Sequence, residues 1–99
     1  MNKSFYSYFV LHCMRYYSRY PNISNFKTEA DKANWIACKK ALAYYTDSEK
    51  KILMAVYSGR DTFADNVYET AKKYNINQDE IWDMIPKFER LVAKKRGLI

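Results

Sequence analysis

The side chains best suited to chemistry lie near the C-terminal end of the chain. Lys87, Arg90, Lys94, Lys95 and Arg96 place five cations in a short stretch. Lys and Arg are the side chains that grip phosphate oxygens, so these residues fit a phosphate clamp. They also fit the general preference for cations near the end of a helix. Just upstream stand Asn77 and Gln78. A Gln carboxamide can pair with an adenine edge through two hydrogen bonds, and an Asn can bond a base or a phosphate. Trp82 offers three uses. It can stack on a sugar or base, anchor a protein partner, or fold back over a hydrophobic rim. Asp79, Glu80 and Asp83 share this stretch, and carboxylates beside a polyanion oppose binding. This is the chemistry of recognition. Duplex DNA is the first partner it fits, and a basic protein is the second.

Catalytic chemistry is not legible. The single His12 adjoins Cys13, but no acidic cluster joins them, and the two cysteines and one histidine lack zinc-finger spacing. Two glycines cannot make a Gly-rich phosphate loop. No catalytic residue, metal ligand or cofactor is expected, and an enzyme is the least favoured class. Cys13 and Cys38 read as reduced core thiols of a cytoplasmic protein, with a disulfide between their helices as the minority alternative. No run approaches the roughly 18 apolar residues of a membrane span. Arg15, Arg19 and several tyrosines interrupt the apolar start, which argues against a signal peptide.

The elements that must position these groups follow from periodicity and caps. Ninety-nine residues, 48% of them hydrophobic, suit one domain with its own core. With two Gly, two Pro and no long alternating pattern, the chain reads as all-α: a compact bundle of about five helices ending in a helix-turn-helix. The first helix is expected over residues 4–20. Phe5, Phe9, Cys13, Tyr16 and Tyr20 form one stripe on it, and Tyr6, Val10, Met14 and Tyr17 form a second. So wide an apolar face needs cover on more than one side, from other helices or from a second copy in a homodimer. Thr28 caps a second helix that carries Ala30, Ala33, Ala37 and Ala41. Thr46 and Glu49 make a capping box for a third, which Gly59 stops. A polar loop over 60–65 with Phe63 as its anchor leads to a short fourth helix over 66–74, capped by Asn66. Asn75 turns the chain in a left-handed conformation, and Ile76 plugs the turn. Asn77 caps a fifth helix over 78–96, with Glu80 completing a capping-box-like pair. Ile81, Ile85, Phe88 and Val92 mark its buried face. Pro86 predicts a kink or break near residues 82–86, because proline inside a helix costs about 3 kcal/mol.

The layout of residues 46–99 resembles the promoter-reading C-terminal domain of bacterial sigma factors. The features that carry the resemblance are Thr46 to Glu49, Tyr57 to Gly59, Ala71, the Asn75-Ile76-Asn77 turn and Lys87 to Arg96. It implies a sigma-like regulator of transcription of the kind found in phages and mobile elements, reading DNA with the fifth helix. Residues 1–45 form a separate aromatic-rich helical pair within the same domain. Charge is uneven along the chain: net +5 over residues 1–45, −3 over 46–86 and +4 over 87–99. The basic ends would attract a polyanion. Net charge also keeps a small protein soluble. The alternative function is a protein-binding adaptor or inhibitor that meets a basic partner through the acidic helix and Trp82.

Overall fold

The computed structural model describes residues 5–99. The chain forms five helices: α1 (Ser7–Arg19), α2 (Glu29–Leu42), α3 (Asp47–Ser58), α4 (Phe63–Tyr74) and α5 (Gln78–Arg96). No strand occurs among the described residues. The all-α expectation holds. The start of the first helix expected at residue 4 lies outside the described residues.

Hydroxyl and carboxamide caps set most of the helix starts. Thr28 Oγ1 accepts from the Asp31 amide at 3.1 Å, with Glu29 and Asp31 in the first turn of α2. Thr46 and Glu49 form the full reciprocal box, with bonds of 2.9 and 3.2 Å. Such caps satisfy amides that have no partner within the helix. α4 departs from the expected start at Asn66. Thr62 caps it instead, accepting from the Asp65 amide at 3.2 Å, and so adds a turn. Asn66 then lies buried inside the helix, where its Nδ2 donates to the Asp61 carbonyl at 3.3 Å. Phe63 does act as an anchor, but from the first turn of α4 rather than from a loop.

Gly59 does end α3, as expected, but not by a left-handed cap, since its φ of −59° is open to any residue. A Cβ there would overlap the Asn66 carboxamide. The glycine is a site of close approach that lets α3 hand over to α4.

One core cluster draws on all five helices, including Val10 and Met14 of α1, Cys38 and Leu42 of α2, Leu53 and Tyr57 of α3, Val67 of α4, and Ile81 and Phe88 of α5. α1 packs on α2, α3 and α5, and α2 and α5 share the most extensive pairing. Ala37, Ala41 and Ala93 are all buried on these two helices, where small side chains permit close approach. Of the expected stripes of α1, the second holds throughout, with Tyr6 and Tyr17 packed against the core, and the first fails at its ends. Val10, Cys13 and Met14 are buried, whereas Phe5 and Tyr20 are exposed. Ser7 is buried too, and its hydroxyl donates to Glu89 of α5 at 3.2 Å. Around Trp35 the connection between α1 and α2 is latched. Its indole N–H donates to the Tyr20 carbonyl at 3.1 Å, and its ring meets those of Tyr17 and Phe26.

Pro86 does not break α5, which runs unbroken for 19 residues. Ile81 and Ile85 before the proline and Phe88 and Val92 after it are all buried, so core packing on both sides holds the helix together. Pro86 itself is exposed, which leaves the carbonyl it cannot bond on the side open to water. Both cysteines are free and buried. Burial pushes the Cys13 thiol up to about 11 and that of Cys38 higher still. Neither is a thiolate at neutral pH, and neither is suited to nucleophilic work.

Two substitutions test this packing. Gly59→Ala should destabilise the fold by about 1–3 kcal/mol, since the new methyl must displace a buried carboxamide. Tyr57→Phe should be neutral or stabilising by up to about 1 kcal/mol, because the buried Tyr57 hydroxyl has no hydrogen-bond partner among the described residues. Urea denaturation of both variants checks these signs. A costly Tyr57→Phe would mean that the hydroxyl is satisfied.

Candidate nucleic-acid interface

The corner between α4 and α5 gathers the residues with recognition chemistry. α4 ends in a left-handed residue, Asn75, at φ 53° and ψ 49°. The Ile76 amide returns to the Ala71 carbonyl at 3.0 Å, closing a Schellman-type end. Ile76 is half-buried against the core, and Ala71 beside it is buried. Asn77 begins α5, and its Oδ1 accepts from the Asp79 amide at 2.8 Å. The expected pairing with Glu80 is therefore corrected. The cap bond goes to the second residue of the helix, and Glu80 returns only a backbone bond to the Asn77 carbonyl at 3.1 Å. A carboxamide is longer than a hydroxyl and reaches the nearer amide. Asn77 Oδ1 is thus committed to the helix, which leaves its Nδ2 to face outward chemistry.

An open groove of about 560 Å³ lies along this corner. Asn77, Gln78, Asp79 and Trp82 line it from α5 and its cap, and Tyr68 and Lys72 line it from α4. Trp82 is 37% exposed while its ring leans on Phe63 with centroids 5.8 Å apart. It folds back on the rim and still presents surface. Tyr68 and Lys72 were not singled out from the sequence. They stand four residues apart on α4, so they share a face, and that spacing was the available signal.

At 100° per residue, Asp79, Asp83, Pro86, Lys87, Arg90 and Lys94 fall on one outward face of α5, and all are exposed. Along a helix of about 28 Å this face runs from acidic to basic. Lys95 and Arg96 do not join it. Lys95 Nζ donates to the Tyr44 hydroxyl at 3.0 Å and lies 4.9 Å from the centre of the Tyr44 ring. That hydrogen bond, aided by the charge, pulls the Tyr44 phenol below its usual range. Arg96 Nε donates to Asn34 Oδ1 at 2.6 Å. The five basic residues of the C-terminal run therefore divide. Lys87, Arg90 and Lys94 form an open stripe, and Lys95 and Arg96 flank α2.

Among the described residues no three His, Cys, Asp or Glu side chains converge on a point where a metal ion could bind. Nor is any helix among them long and apolar enough to cross a membrane. Comparison with protein-family models, curated proteins and solved structures finds no match to this chain.

The corner depends on Asn75. Asn75→Ala should cost about 1 kcal/mol, because Ala keeps the Cβ but loses the short polar side chain that eases a left-handed conformation. Asn75→Gly should be tolerated. Equal stability of all three proteins in thermal melts would show that the turn relaxes out of the left-handed region.

Proposed function

We propose that this chain is a sigma-like helix-turn-helix regulator that binds duplex DNA, with α4, the Asn75 turn and α5 as the motif. The observation that carries this reading is the outward stripe of Lys87, Arg90 and Lys94 on the helix that follows a left-handed corner. In such motifs the first turns of the second helix enter the major groove, and flanking groups grip the backbone. Gln78 is the base reader in this scheme, with the free edge of Asn77 beside it. Lys72, at the mouth of the same groove, adds a cation close to the reading turns. Trp82 packs against a sugar or base edge. Asp79 and Asp83 hold nonspecific affinity down, which leaves more of the discrimination to direct contacts.

A second reading rests on a specific observation. The same corner exposes Trp82 and Tyr68 beside Asp79, Glu80 and Asp83. Aromatic side chains ringed by carboxylates suit a basic protein, with Trp82 as the anchor. In that case the chain is an adaptor or inhibitor built on a helix-turn-helix frame.

The deciding measurement is binding to a random-sequence duplex across a salt series. Replacing Lys87, Arg90 and Lys94 with Ala should weaken binding to every sequence and flatten the salt slope by up to about 3 units, roughly one per lost phosphate contact. Replacing Lys95 and Arg96 with Ala should change the slope less and lower stability more. Asp79→Asn with Asp83→Asn should tighten duplex binding by removing repulsion. The same pair should slow association with a basic protein, because charge complementarity acts mainly on the on-rate. If the parent protein fails to bind duplex DNA even at low salt, the adaptor reading replaces the first.

A further inference from the structure

A second concavity lies between α1, the connection over residues 20–28 and the first turns of α2. It encloses about 450 Å³, within the size range of small-molecule sites. It shares no lining residue with the groove at the α4–α5 corner.

Its walls combine three kinds of group. His12, Tyr16 and Tyr20 are aromatic, and the two tyrosine rings stand 5.6 Å apart at a 48° tilt. Asn25 and Asp31 add a carboxamide and a carboxylate. Lys27 adds a cation. Arg96 lies just behind the wall, because it bonds Asn34, which lines the cavity, and its charge acts on Cys13, which also lines it. Among the described residues, the side chains of Asn25, Lys27 and Asp31 have no hydrogen-bond or ion-pair partner within the protein. Trp35 holds the Tyr20 carbonyl and the Phe26 ring, so the connection over the cavity is fixed in place.

We propose that this cavity binds a mononucleotide whose base carries an exocyclic amine. Planar π-faces suit aromatic walls and are sequence-tolerant partners for them. A carboxylate accepts from a ring amine, and a carboxamide pairs with the donor and acceptor edge of a base. Lys27, with Arg96 behind it, supplies the positive field for a phosphate. Asp31 opposes a purely anionic ligand, so inorganic phosphate alone is a poor occupant. Adenine, guanine and cytosine present the amine that Asp31 takes, whereas uracil does not. The site stands apart from duplex binding, so its test is independent of that reading.

Isothermal titration of the full chain with AMP, CMP, UMP, adenosine and inorganic phosphate tests the assignment. AMP and CMP should saturate at about 1 mM or below. UMP should bind about tenfold more weakly, and phosphate should not saturate. Lys27→Ala should weaken AMP about tenfold and leave adenosine almost unchanged. Asp31→Asn should erase the preference for AMP over UMP. Lys27 is exposed and Asp31 only partly buried, and melting curves of the variants establish that they fold. No saturation by any nucleotide, or binding that neither variant alters, overturns the proposal. Tighter binding of a single-stranded oligonucleotide than of AMP, lost in the same variants, overturns the assignment to a free nucleotide.

Discussion

Phe88 sits fully buried midway along α5, and its ring belongs to a connected line of aromatics. It meets Tyr45 at 5.7 Å and Tyr57 at 5.9 Å. Tyr57 meets Phe63 at 5.4 Å, and Phe63 meets Trp82 at 5.8 Å. The line thus starts just after α2, passes through α3 and α4, and returns to α5 at the groove. Ring pairs of this kind add about 0.5–1.5 kcal/mol each beyond the area they bury, and they fix relative orientation. Trp82 is therefore positioned by the core. The exposed edge it offers at the α4–α5 corner is the outer end of that line.

The separation of the basic residues follows from the same packing. α2 covers one side of α5, and Asn34 and Tyr44 take Arg96 and Lys95 out of the outward stripe. What remains exposed is a gradient from Asp79 and Asp83 to Lys87, Arg90 and Lys94. That gradient matches the macrodipole of α5, which favours anions at its start and cations at its end. One arrangement thus complements the helix dipole and leaves the exposed cations gathered in the C-terminal half of α5.

Much of the fold was legible because the relevant signals are local. Thr28 and Thr46 with Glu49 mark helix starts through bonds spanning three residues, and Asn75 marks a turn through its own backbone. The repeat of Ile81, Ile85, Phe88 and Val92 gives a buried face without knowledge of what covers it. The errors arose where the deciding partner lies elsewhere. Asn66 has the residue type of a cap, yet Thr62 took that role and Gly59 gave its carboxamide a place to pack. The break that Pro86 suggested does not occur, because buried neighbours on both sides carry the helix past it. Lys94, Lys95 and Arg96 are consecutive in sequence and diverge in space, because a helix turns 100° per residue and α2 occupies one of those directions. The cavity beside His12 was invisible for the same reason. Its walls come from a helix, a loop and a second helix, and no spacing rule connects them.

The bonds between the two ends of the chain also bear on how it folds. Ser7 reaches Glu89, 82 residues away, and Asn34 takes Arg96 from 62 residues away. Helical proteins mostly close local contacts first and fold fast for that reason. Here α1 gains its α5 cover through contacts between segments far apart in sequence, which close late for that reason. Until α5 docks, the core around Val10, Met14 and Leu42 lacks Ile81, Phe88 and Val92, a surface on which chaperones or other unfinished chains can act. The longest-range contacts of this small protein therefore make the docking of α5 its most exposed step in folding.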